Sequence, residues 1–184
     1  EGEVWLRLGE LHFDLARLDD AIGAYRRVVA LPSHRLFAFG LYKLAWSHYR
    51  AGHYAEAIER FAQLVDWSDE VERTTGRAGS DLREEALQYI ALTLAWDDWD
   101  EDGQPDHAAG GAHPLERLED PSLWPHDRAW ARDVYRRVGD VLFEQAHTDE
   151  AVFAWRLRLA GFQGCDDADV HLSIVRAQRQ RGDE

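Results

Sequence analysis

The stretch DWDEDGQPD, residues 98–106, holds the densest set of potential ligands in the chain. Asp98, Asp100 and Asp102 alternate, Gly103 follows, and Asp106 stands four residues beyond Asp102. A twelve-residue calcium loop needs oxygen ligands at places one, three, five and nine and a glycine at place six for the turn. Those places are filled here. The twelfth, where a bidentate acid normally closes the shell, is Ala109, so closure would fall to Glu116 or Asp120. Two readings stay open: a weak calcium site made of Asp98, Asp100, Asp102 and Asp106, or a solvated acidic loop with no bound ion, since such a motif counts only in its structural context. His107, His113 and His126 share the segment, but spacings of six and thirteen match no zinc pattern and read as surface histidines.

Catalytic chemistry finds less support. The sequence carries no GxSxG, HExxH, phosphate loop or glycine-rich dinucleotide turn. Glu84 and Glu85 are carboxylates at a helix start, where the positive end of the helix favours them. The expectation is a protein that is not an enzyme. With 35 acidic against 21 basic residues the net charge is −14, which repels phosphate backbones and weighs against nucleic acid as a partner. Cys165 is the one cysteine, so no intramolecular disulfide forms. No apolar run approaches the ~18 residues of a membrane span. The chain starts at Glu1 and has no methionine, which reads as a piece of a longer protein.

Hydrophobic residues make up 45% of the chain, ample for a core, and their spacing is helical. Three segments coincide when aligned on Ala21, Ala57 and Ala151. One helical turn on from each stands an aromatic ring: Tyr25, Phe61 and Trp155. Twelve residues before each stands a small residue: Gly9, Ala45 and Gly139. The pattern predicts paired helices meeting at small residues. Arg17–Leu18–Asp19, Gly52–His53–Tyr54 and His147–Thr148–Asp149 form the turns and supply turn or N-cap chemistry.

On these residues the chain resembles the tetratricopeptide repeat family, whose pattern runs W-x2-L-G-x2-Y, then A-x3-F, over about 34 residues. The first unit reads Trp5, Leu8, Gly9, His12, Ala21, Tyr25; the second Leu41, Leu44, Ala45, His48, Ala57, Phe61; a later one Tyr135, Val138, Gly139, Leu142, Ala151, Trp155. Departures are His12 and His48 where the family has tyrosine, and Arg158 where a small residue is usual. The resemblance implies an all-α fold, a right-handed superhelix (α-solenoid) of helix–turn–helix repeats with one inserted loop segment. The expected repeats span 2–35, 38–71, 84–131 with an insert at 97–127, and 132–165, followed by a truncated helix at 168–184. The insert follows from spacing: 94 residues separate Ala57 from Ala151, where two family periods need roughly 68.

Residues 32–58 and 79–95 also resemble, more narrowly, bacterial cell-envelope repeat proteins: the outer-membrane assembly lipoprotein, the Tol-associated coordinators and the gliding-motility proteins. That narrower likeness implies a periplasmic or outer-membrane-associated location rather than a cytoplasmic one. The family resemblance implies a non-catalytic scaffold that holds a peptide or protein on its concave face, or else an accessory segment of a larger, signalling-type enzyme. The family's inner-face places fall on Glu10 and Phe13 in the first unit, on Phe39, Tyr42, Trp46, Tyr49 and Arg50 in the second, and on Trp96 in the third. These rings either anchor a partner or pack on the next repeat. The family's chaperone-tail clamp needs Lys and Asn where this chain has Leu6 and Glu10, so that clamp is not expected.

Overall fold

The computed structural model describes residues 1–109, 111–162 and 167–182. Cys165 and the end of the expected fourth repeat lie outside the described residues. Among the described residues every regular element is helical. The order is α1 (Gly2–Asp14), α2 (Leu18–Val29), α3 (Phe37–Arg50), α4 (Tyr54–Thr75), α5 (Arg83–Ala95), α6 (Pro114–Glu119), α7 (Ala131–Glu144), α8 (Thr148–Gly161) and α9 (Ala168–Arg181), with a single 3-10 turn at Asp106–Ala109. The helices divide into two compact units. The first holds Glu1–Ile90 and Trp99–Glu101; the second holds Ala91–Asp98 and Asp102–Glu184.

In the first unit α1 pairs with α2 and α3 with α4, and α2 also packs on α3. The small-residue seam explains the pairing. Ala21, Ala57, Tyr25 and Phe61 are fully buried. Gly9 lies so close to Tyr25 that a Cβ there would come within 2.5 Å of the ring. Only a missing side chain lets α1 approach α2 that closely. Leu6, Ile22, Val28 and Leu44 fill the space around the seam. Burying a leucine-sized side chain contributes ~1.5–3 kcal/mol, so this patch is enough to drive hairpin formation.

The hairpin turns share one backbone device. The Arg17 amide donates to the His12 carbonyl at 2.9 Å, the His53 amide to the His48 carbonyl at 2.9 Å, and the His147 amide to the Leu142 carbonyl at 2.8 Å. The residue before each has a left-handed backbone: Ala16 (φ 56°), Gly52 (φ 72°) and Ala146 (φ 65°). This is the Schellman closure, which satisfies the last carbonyls of the preceding helix. Arg17, His53 and His147 occupy the N-cap places without any side-chain capping bond. The turn chemistry therefore sits in the backbone, one residue earlier than the side chains suggest.

His48 of α3 is buried, and its Nδ1 has no hydrogen-bond partner among the described residues. Burial, with Arg26 adding repulsion, pulls its pKa down to about 4. The imidazole is therefore neutral and fills the place of an apolar side chain. Beyond the seam, α4 continues to Thr75 and ends at Gly76 in a left-handed conformation. Ser68, buried in α4, accepts the Ser80 amide at 2.9 Å, and Gly79 passes close over the Ser68 backbone. Arg83 then pairs with Asp69 at 2.5 Å and fixes the start of α5.

The second unit repeats the hairpin with α7 and α8. A Cβ on Gly139 would meet the Trp155 indole at 2.4 Å, and Ala151 is fully buried. Arg158, the departure from the family pattern, points its guanidinium at Asp167: both nitrogens Nε and Nη2 donate to Oδ1, at 2.9 and 2.5 Å. Both residues are buried. The large residue is tolerated because its charge is neutralised at the start of α9.

The insert is folded too. Trp124 is 2% exposed, donates from Nε1 to the Leu118 carbonyl at 3.2 Å and packs against Tyr135 at 5.1 Å. It gives residues 114–130 a local core.

Candidate functional site

The aromatic stripe of α3 arises from helical spacing. Positions 39, 42, 46, 49 and 50 fall on one side of the helix because three- and four-residue steps stay on one face. Phe39, Tyr42, Trp46 and Tyr49 are half-buried and Arg50 is exposed. Their rings form a chain of contacts: Phe39–Tyr42 at 6.4 Å, Tyr42–Trp46 at 6.3 Å and Trp46–Tyr49 at 5.5 Å. Phe61 of α4 meets Tyr42 and Trp46 edge-on, each at 6.4 Å. Tyr89 of α5 lies 4.4 Å from Trp46 and 5.9 Å from Tyr49. The stripe is thus shared between packing against α4 and α5 and a solvent-facing remainder. Edge-to-face pairs of this kind add ~0.5–1.5 kcal/mol each beyond area burial and hold the rings rigid.

Polar groups fix the stripe's ends. The Tyr42 hydroxyl donates to Glu85 at 2.7 Å. Burial first, and this bond second, push its pKa up to about 12, so it stays a donor. Tyr54 is buried, donates to Glu101 and packs on Trp99 at 5.5 Å, which ties the short 99–101 stretch to the first unit. Among the described residues, Trp46 Nε1 is buried without a hydrogen-bond partner.

Phe13 of α1 completes the surface. Arg50 lies over its ring at 4.5 Å and Lys43 at 5.7 Å, while Lys43 also lies 5.3 Å from the Phe39 ring. Lys43 is a residue that the family's inner-face places leave out; its signal was its position seven residues, two helical turns, before Arg50. Glu10 is half-buried and stands 4.0 Å from Arg7. Trp96 belongs to the second unit, at 40% exposure. Seven of the eight expected partner residues therefore belong to the first unit.

The acidic segment is more structured than its composition suggests. Asp98 accepts the Gly103 amide at 3.2 Å, and Asp102 accepts the Gln104 amide at 2.7 Å. Asp98 and Asp106 each offer a carboxylate oxygen within 4.8 Å of the other. Asp100 is exposed and goes with the first unit. Asp106 is paired with Arg117, whose guanidinium also donates to the Trp96 carbonyl. The side chains of Arg117 and Asp106 are 5% and 9% exposed, so the guanidinium already neutralises the carboxylate at the ninth place of the loop. Sequence reading missed Arg117, although a signal was present. HPLE at 113–116 is a capping box: His113 Nδ1 accepts the Leu115 amide at 3.1 Å and Glu116 accepts the His113 amide at 3.3 Å. That box starts α6 and so places Arg117. His107 pairs with Asp97, and His126 packs at a tilt on Trp124 at 4.3 Å with its pKa lowered by burial. Of the three histidines only His107 is exposed.

The family profile described as tetratricopeptide repeat matches residues 3–33 and 40–66, which are the α1–α2 hairpin and most of α3–α4. No curated protein matches the chain. The crystal structure of MamA protein is similar over 99% of this chain and 83% of that chain, at 19% sequence identity and a TM-score of 0.44. Among the described residues no helix is long and apolar enough to cross a membrane.

Proposed function

We propose that the chain, a protein with tetratricopeptide repeats in its first unit, is a non-catalytic scaffold that captures a protein or peptide partner. The observation that carries this reading is the match of both N-terminal hairpins to the repeat family, whose stacked helix pairs leave one side lined by first helices. Here those helices are α1 and α3, and the concave side they line is the capture surface. Half-buried rings held in place by α4 and α5 suit such a role. A rigid aromatic loses little conformational entropy on binding and presents large contact area.

The finer reading places this capture within a bacterial cell-envelope assembly. It is supported by the Pro/Ser-led helices at 32–58 and 79–95. Fractionation of source cells with an antibody to the chain tests it, since recovery in the cytosol alone would rule it out.

Affinity capture tests the main reading. The immobilised chain should retain a defined protein that excess soluble chain competes away. Phe13→Ala should release that protein, while Arg27→Ala, on α2, should retain it. Equal capture by both variants would place the binding surface elsewhere.

A further inference from the structure

Lys43 and Arg50 share one aromatic partner. They stand two turns apart on α3 and converge on the same Phe13 ring, at 5.7 and 4.5 Å. Among the described residues neither makes an ion pair, although acidic residues outnumber basic ones by 35 to 21. Three less exposed cations elsewhere sit on carboxylates instead: Arg83 on Asp69, Arg117 on Asp106, Arg158 on Asp167. Two cations gathered on one ring repel each other, and the ring quadrupole offsets only part of that. A carboxylate presented between or beside them would be attracted by both.

Resting on the scaffold reading above, we propose that the partner segment is acidic. It places two carboxylates against Lys43 and Arg50 and an apolar side chain against Phe13 and Phe39. Because the two cations converge on one ring, the recognised motif is a pair of Asp or Glu residues held close together beside an apolar side chain. Charge complementarity favours this occupant over nucleic acid, because the remaining surface of a −14 chain repels a polyphosphate while two local cations suffice for two carboxylates.

Selection from a random twelve-residue peptide library on the intact chain tests the proposal. The enriched peptides should carry paired Asp or Glu residues. Fluorescence anisotropy of a labelled enriched peptide should show at least a tenfold loss of affinity for Lys43→Gln/Arg50→Gln, and little change for the charge-keeping Lys43→Arg/Arg50→Lys. Thermal melts of both variants should match the parent and show that each is folded. Enriched peptides without acidic pairs, or equal binding by the charge-removed variant, would overturn the proposal and leave the scaffold reading standing. Failure to enrich any peptide would likewise overturn the proposal, while the affinity capture described above decides the scaffold reading.

Discussion

Gly139 and Trp155 are in direct apposition: a Cβ on the glycine would lie 2.4 Å from the indole Cδ1. Gly9 and Tyr25 repeat the relationship at 2.5 Å, and in the second hairpin the buried Ala45 and Phe61 occupy the same two places of the register. The small residue on the first helix is matched to the ring on the second. Gly139→Ala is expected to destabilise the second unit by ~1–2 kcal/mol, an overpacking cost reduced by alanine's better helix propensity. Combined with Trp155→Phe the two changes should be markedly non-additive, because the alanine–phenylalanine combination already exists at Ala45 and Phe61. Chemical denaturation of the four proteins in the cycle measures this, and simple additivity would show that the pair is not coupled.

The turns make a second prediction. Ala16 and Ala146 adopt left-handed backbone that costs a residue with a Cβ ~1–2 kcal/mol. Ala16→Gly and Ala146→Gly should each stabilise the chain by ~0.5–1 kcal/mol after the entropy of the unfolded glycine is subtracted. Gly52→Ala should act in the opposite sense. Melting temperatures that fall in the two glycine variants would contradict the shared turn.

His48 should make the first unit acid-sensitive. Its pKa is lowered from 6.5 to about 4 by burial, with Arg26, His53 and Arg60 adding repulsion and Glu56 opposing them. A folded-state pKa below the unfolded one means that the unfolded chain binds the proton more readily. The stability due to neutral His48 is then complete above pH 6.5 and is lost as pH falls towards 4, by on the order of 2–3 kcal/mol. His48→Tyr, which restores the residue type of the family pattern, should flatten the stability profile across that window. A profile unchanged by the substitution would show that other groups govern the acid response.

Arg158 and Asp167 give a fourth. Arg158→Ala leaves a buried carboxylate without its partner and should cost ~3–5 kcal/mol, whereas Arg158→Met with Asp167→Leu should cost far less. Urea denaturation separates the two outcomes. An equal loss in both would mean that the guanidinium matters for its volume rather than its charge.

Much of the fold was legible because it follows from local spacing. The Ala21, Ala57 and Ala151 register, the rings four residues on and the small residues twelve before were enough to predict helical hairpins with matched seams. What escaped depended on groups distant in sequence. The Arg117 partner of Asp106 lies eleven residues on, and Trp46 is divided between packing and solvent by Phe61 and Tyr89 from other helices. The turns escaped for another reason. Left-handed alanines have no compositional signature, so Ala16 and Ala146 read as ordinary helix residues while the polar side chains after them drew attention.

The central claim is that α1 and α3 of the first unit present a capture surface. Hydrogen–deuterium exchange of the intact chain, with and without a library-selected peptide at saturation, tests it most directly. The account predicts slowed exchange confined to amides of Gly2–Asp14 and Phe37–Arg50. Protection confined to α7, α8 and α9, with α1 and α3 unchanged, would contradict it.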